Sequence, residues 1–158
     1  MRKSNVIILV LSLIIPLLVG GISAALSSQG MVAYGNMNKP PLSPPPWVFS
    51  VAWTILYLIM GLASYFIVTA GPGSKGKGML ITAYIVQLIM NFMWSLIFFN
   101  HKLYFVAFIW LMVMWLIVIF CAIGFYSIKK TATYLFIPYI VWLTFAAYLN
   151  LGTYLLNK

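Results

Sequence analysis

Apolar positions run along this chain in five long blocks, at about Asn5–Leu26, Trp47–Thr69, Met79–Phe99, Leu103–Ser127 and Ala132–Leu156, broken by short polar or proline-bearing stretches. About 20 apolar residues carry a helix across the roughly 30 Å of a bilayer's hydrocarbon, and each block reaches that length. Backbone amides find no water there, so each block must close its own hydrogen bonds as an α-helix. The pattern predicts an all-α integral membrane protein, a five-transmembrane-helix bundle forming one domain over residues 1–158. No internal repeat is visible.

Polar side chains inside the blocks mark which faces turn away from lipid. In the third block Gln87, Asn91, Trp94, Ser95 and Phe98 recur at three- and four-residue spacing and share one helix face. Tyr139, Trp142, Ala146 and Asn150 line one side of the fifth block, where Pro138 frees a backbone carbonyl one turn earlier. The second block presents Trp53, Tyr57, Met60 and Ser64 in the same way. Taken singly, such a residue serves equally well as packing, since amides on membrane helices often bond across an interface. Taken together, three mixed aromatic and amide faces would wall a flat apolar ligand and give it a few hydrogen-bonding handles. The fourth block lacks such a face, and Trp110 and Trp115 are expected to meet lipid or a second copy of the chain.

The connection from about Ser27 to Pro46 is longer than the others and holds Pro40, Pro41, Pro44, Pro45 and Pro46. Proline fixes its own φ and biases the residue before it to extended backbone, so a stiff lid is expected. The alternative is a plain connector, anchored at the headgroups by Trp47. Alternation of the blocks puts this loop on the same side as the third one, so Tyr34, Lys39, His101 and Lys102 are expected at the mouth of the bundle. Headgroup anchoring is the competing role for His101 and Lys102. Arg2-Lys3 ahead of the first block, with Ser23-Ala24-Ala25 near its end, imitates a signal peptide. A run of about 20 residues, with Pro16, Gly20 and Ala24 at fourfold spacing, favours a retained, packed span.

Composition sharpens this reading. The 158 residues are 65% hydrophobic and 17% aromatic, with mean hydropathy +1.09, nine Lys plus Arg and no Asp or Glu. Paired-carboxylate catalysis, Ser-His-Asp triads and calcium or magnesium cages are therefore excluded. His101 and Cys121, each the sole residue of its type, cannot assemble a metal site or an intrachain disulfide, and no cofactor is required. The formal charge of +9 favours anionic membrane lipids or anionic small ligands, whereas scattered loop cations make no nucleic-acid patch. Arg2, Lys3, Lys75, Lys77, Lys129 and Lys130 fall on one side of an alternating bundle, and Lys39, Lys102 and Lys158 on the other. A multi-pass protein of the cell membrane is expected, with its N-terminus in the cytoplasm and its C-terminus outside.

The run Asn38-Lys39-Pro40-Pro41-Leu42-Ser43-Pro44-Pro45-Pro46-Trp47-Val48-Phe49, followed by Ala52-Trp53-Thr54-Ile55-Leu56-Tyr57, resembles the signature of the TspO/MBR family. These are the tryptophan-rich sensory proteins and translocator proteins, or peripheral-type benzodiazepine receptors. Gln87-Leu88 through Asn91, Trp94 and Ser95 to Phe98-Phe99 agrees with it, as does Pro138-Tyr139 through Trp142 and Phe145-Ala146 to Leu149-Asn150. The resemblance implies a five-helix membrane protein, commonly a homodimer, whose cavity beneath the first loop binds porphyrins such as protoporphyrin IX and haem, and in animals cholesterol. By position it carries ligand contact to Trp53, Asn91, Trp94, Tyr139, Trp142, Ala146 and Asn150. With the faces and loop above, the candidate ligand-binding set is these seven plus Tyr34, Lys39, Pro44, Pro45, Tyr57, Gln87 and Phe98.

The resemblance also implies three possible activities. The first is tetrapyrrole sensing or handling by binding. The second is light- and oxygen-dependent degradation of protoporphyrin, in which Trp142 is the candidate catalytic residue. The third is facilitated transport of porphyrin or another small hydrophobic molecule. Ala33 and Leu42 stand where many members carry loop tryptophans, and Trp110 stands where many carry an acid, which weakens catalysis more than binding. The C-terminal Leu151–Lys158 fits a loose sterol-recognition pattern that an apolar helix ending in Tyr and Lys also produces by chance.

Overall fold

The computed structural model describes residues 3–71 and 73–158, all helix, turn and loop with no strand among the described residues. The helices are α1 (Lys3–Leu26), α2 (Ser28–Gly35), α3 (Pro46–Val68), α4 (Lys77–Ser95), α5 (Tyr104–Ile128) and α6 (Lys130–Leu156). A π turn over Leu96–Asn100 extends α4. Five of the helical stretches are long and apolar enough to cross a membrane, and they begin and end within about two residues of the expected blocks. Arg2, counted among the cytoplasmic cations, lies outside the described residues.

Local chemistry sets the helix ends. Pro46 starts α3 at its first position, where the missing N–H is one of the helix's unbonded donors anyway. The ammonium of Lys77 donates to the carbonyls of Val68 (2.8 Å) and Ala70 (2.6 Å), covering acceptors that the end of α3 leaves open. After the π turn the chain reverses through Lys102, which holds φ 55 in the left-handed region, while Leu103 N–H donates back to Ile97 at 3.2 Å.

The packing turns the usual soluble pattern inside out. Large apolar side chains cover the outside, with Ile7, Leu116, Ile123 and Val141 at least 60% exposed, as a surface in hydrocarbon requires. Between α4 and α6, α5 presents one buried stripe, Ala107, Leu111, Met114, Val118, Cys121 and Phe125. Against α3, α1 lies so close that a Cβ on Gly61 would stand 2.5 Å from the carbonyl oxygen of Ser12. Without a hydrophobic drive between helices in lipid, small residues at such crossings let backbones meet and gain dispersion contact.

One expectation needs correction. The 27–46 connection is not loop throughout, because Ser28–Gly35 forms α2 after a bend at Ser27. Its prolines begin only at Pro40, so nothing upstream prevents a helix, and Tyr34 seats α2 edge-on against Phe98 and Phe99 at 5.4 and 5.8 Å. Trp110 and Trp115 are half-exposed on α5, and each indole is also hydrogen-bonded to a neighbouring helix. Trp110 Nε1–H donates to the Met90 carbonyl of α4 at 2.8 Å, and Trp115 Nε1–H to Thr144 Oγ1 of α6 at 3.0 Å, because an indole donor in hydrocarbon must find an acceptor.

Replacing Gly61 by Ala should force α1 away from α3 and lower stability by about 1–3 kcal/mol, measured as thermal unfolding in detergent. The same change at Gly21, where an added Cβ meets nothing within 4 Å, should be nearly silent.

Candidate functional site

At the end of the bundle that carries α2 and the proline loop, the helices part around a cavity of about 360 Å³. That volume lies within the roughly 300–1,000 Å³ usual for small-molecule sites. From α3, Phe49, Trp53 and Tyr57 form one wall; from α4 and its π turn, Asn91, Trp94, Ser95, Phe98 and Phe99 form the second; from α6, Trp142, Ala146, Leu149 and Asn150 form the third. Tyr34 and Lys39 stand at the loop side with Pro44 and Pro46. None of the lining comes from α5.

Sequence reasoning missed the fourth wall, where α1 contributes Leu17, Gly20, Gly21, Ser23 and Ala24. The fourfold spacing of Gly20 and Ala24 was its signal, since small residues leave room both for packed helices and for a ligand. It also missed Phe99, which lines the cavity beside Phe98 because the π turn widens the helix there.

Three of the expected residues do not line the cavity. Pro45 sits outside it at the N-terminal end of α3, between Pro44 and Pro46. Tyr139 and Gln87, fully buried, lie below it and form the end of a hydrogen-bonded chain. Tyr57 Oη donates to Asn91 Oδ1 (3.1 Å), Asn91 Nδ2 donates to Tyr139 Oη (3.0 Å), and Tyr139 Oη donates to Gln87 Oε1 (2.8 Å). Gln87 Nε2 ends this hydrogen-bonded series with no acceptor among the described residues. The phenol and amide groups thus bind α3, α4 and α6 to one another under the cavity.

A second tie runs across the cavity wall. Trp94 Nε1–H donates to Asn150 Oδ1 at 3.1 Å, and Asn150 Nδ2 donates to the Tyr104 carbonyl at 2.7 Å. Both Asn150 hydrogen-bonding ends are therefore used internally. Trp53 stacks on Tyr57 at 5.5 Å and Trp94 on Phe98 at 5.1 Å, giving the site flat aromatic faces. Among the described residues, Trp142 has only edge-on aromatic neighbours, and its buried Nε1–H has no acceptor.

Of the four residues expected at the mouth, the structure brings Tyr34 and Lys39 there. Lys39 Nζ lies 5.3 Å from the centre of the Tyr34 ring and donates to the Gly35 carbonyl at 2.9 Å, at the C-terminal end of α2. His101 and Lys102 are exposed in the bend after the π turn and do not line the cavity.

The loop is latched to the end of α6. Asn157 Nδ2 donates to the Asn38 carbonyl (2.8 Å), Asn38 N–H donates to Asn157 Oδ1 (3.3 Å), and Tyr148 Oη donates to the Pro41 carbonyl (2.8 Å). A Cβ on Gly152 would stand 2.6 Å from Pro40 Cβ, so glycine is what admits the loop there. Pro41 and Leu42 form a turn closed by Ser43 N–H to the Pro40 carbonyl, with Leu42 at φ 66 and 82% exposed. Neither Leu42 nor Ala33 lines the cavity.

A five-span bundle enclosing an aromatic cavity under a latched, proline-rich loop places the chain in a class of multi-pass, all-α membrane proteins. The chain belongs to the TspO/MBR family, whose model matches residues 12–155. It is 39% identical over 124 residues to a tryptophan-rich sensory protein of Cereibacter sphaeroides, covering 78% of this chain and 76% of that one. It is 30% identical over 154 residues to the tryptophan-rich protein TspO of Archaeoglobus fulgidus, covering 97% and 99% of the two. A translocator protein of Ovis aries is 33% identical over 123 residues, covering 77% of this chain and 73% of the relative.

Three outcomes check this geometry. Tyr139→Phe strips Gln87 of its donor and Asn91 of its acceptor and should cost about 1–3 kcal/mol in detergent unfolding, since buried polar groups are left unpaired. Gln87→Leu should cost less, as one end of that amide is already unbonded. Gly152→Leu should unseat the loop, seen as faster amide hydrogen exchange over residues 36–43 with the exchange of α5 unchanged.

Proposed function

We propose that this membrane protein binds porphyrins, protoporphyrin IX or haem, in the cavity and serves as a tetrapyrrole sensor or handler. The observation that carries the reading is the pairing of flat aromatic walls with a single cation, Lys39, among the lining residues at the mouth. The chain contains no Asp or Glu, so no side-chain carboxylate within it can neutralise that ammonium, and an anion from outside is its natural partner. A macrocycle resting against Trp53, Trp94, Phe98 and Trp142 would direct its propionates to the loop side. The names of the relatives, sensory protein and translocator protein, support a role in recognising or passing on a small molecule.

The same reading takes the N-terminus as cytoplasmic and the C-terminus as external. Lys3, Lys75, Lys77, Lys129 and Lys130 gather at the end of the bundle opposite the cavity, which supports it. It also takes the protein as a homodimer meeting through the outer face of α5. Val106, Ile109, Val113, Leu116, Phe120 and Ile123 recur there, exposed, at alternating three- and four-residue steps, the spacing of a helix-pairing seam.

Titration of protoporphyrin IX into the purified protein in the dark should show saturable binding. Lys39→Met should weaken it by about 1 kcal/mol, roughly fivefold, as expected for a half-exposed charge pair. The dimethyl ester of the porphyrin, which has no carboxylate, should bind the variant and the unaltered protein alike. Equal loss for both ligands would remove Lys39 as the anchoring cation, and absence of saturable binding would remove the porphyrin reading. Illumination of the loaded sample with and without oxygen tests photo-oxidation, and bleaching no faster than in empty detergent would leave binding as the function.

A further inference from the structure

Besides the cavity, the bundle carries a second concave surface, a groove of about 620 Å³ between α3 and α6. Ala52, Ile55 and Ile59 line it from α3, and Pro138, Val141 and Phe145 from α6, with no charged side chain and almost no polar surface. It opens sideways, where Ile55 and Val141 are 51% and 64% exposed, into what the apolar exterior marks as hydrocarbon. One residue, Trp142, lines both the groove and the cavity. The indole is the partition between them.

That partition is held differently from the hydrogen-bonded tryptophans. Trp94, Trp110 and Trp115 are each pinned by an indole N–H bond to a neighbouring helix, which fixes the ring in one rotamer. Trp142 has no such bond. Its ring is kept in place by edge-on contacts with Phe49, Trp53 and Phe145 at 6.0, 6.4 and 5.8 Å, which are non-directional enough to be exchanged for contacts with an incoming ring. One turn before it, Pro138 removes a backbone donor from α6 and leaves the helix easier to bend on the groove side. The aqueous route into the cavity, by contrast, lies under the loop that Asn157, Tyr148 and Gly152 hold down.

We propose that the α3–α6 groove is a lateral portal through which a flat apolar ligand passes between the bilayer and the cavity, with Trp142 as its door. The inference rests on the porphyrin reading of the cavity and adds its route. A macrocycle partitions into the acyl-chain layer because its apolar area leaves water there. From that layer it reaches the site without the loop opening, while its carboxylates stay at headgroup level near Lys39.

The test mixes proteoliposomes with vesicles carrying protoporphyrin IX in the dark and follows quenching of tryptophan fluorescence. Ala52→Phe and Val141→Trp each fill the groove from outside the cavity. Both should slow association and dissociation in parallel, by about tenfold, with the dissociation constant kept within roughly twofold. Asn157→Ala, which loosens the loop latch, should leave both rates unchanged. Groove variants that bind and release at the unaltered rates overturn the portal while leaving the binding reading intact, as does acceleration by Asn157→Ala alone. Loss of saturable binding in both groove variants also overturns it, since the groove would then be part of the site's support. Absence of binding by the unaltered protein removes the porphyrin reading and the portal with it.

Discussion

Hydrocarbon offers no hydrogen-bond partner, and the arrangement of this bundle follows from where its few membrane-buried polar groups find one another. Aliphatic helix faces have almost no preference among registers in lipid, because acyl chains are as apolar as leucine. The Tyr57–Asn91–Tyr139–Gln87 chain removes that freedom. A slip of one residue in α3, α4 or α6 would carry a phenol or an amide out to lipid and leave its partner unbonded, at several kcal/mol per group. Aromatic and aliphatic packing then fills the space that these bonds have fixed.

The cavity is a by-product of the same constraint. Polar side chains tie the helices together at the level of Asn91 and Tyr139, and Trp94 and Asn150 tie them again nearer the loop. Between and above these ties the walls are held apart by large rings, while glycines and alanines of α1 add little bulk. The result is an apolar space with rigid sides, which lowers the entropic cost of ordering a site around a ligand. Lys39 is the one strong electrostatic feature on its rim, unneutralised because the chain has no acid to offer it.

Indoles do two kinds of work in this molecule. Three of them act as hydrogen-bonded struts between helices, and their N–H groups decide where neighbouring helices sit. Trp142 instead separates two apolar spaces without a bond of its own. The distinction is invisible in the sequence, where a tryptophan on a membrane helix carries the same residue type and the same periodicity in either role.

The five spans were legible from the sequence because the length of an apolar run is a local property, set by bilayer thickness and by the rise of a helix. The faces carrying Trp53, Asn91, Trp94, Trp142 and Asn150 were legible too, since three- and four-residue spacing puts side chains on one side whatever the helix packs against. The proline run announced a stretch without helix, residues 38–45, for the same local reason. Tertiary structure alone decided the rest. That Gln87 and Tyr139 belong to the floor and not the wall depends on how deeply α4 and α6 cross, which spacing does not encode. That residues 28–35 fold as α2 depends on the seat that Phe98 and Phe99 offer Tyr34, a contact across more than sixty positions of chain. His101 and Lys102 left the mouth because a π turn and a left-handed bend redirect the chain after Ser95, and α1 became a wall because its small residues face Tyr57. Local sequence set what each helix is, and the pairing of polar groups across helices set what they enclose.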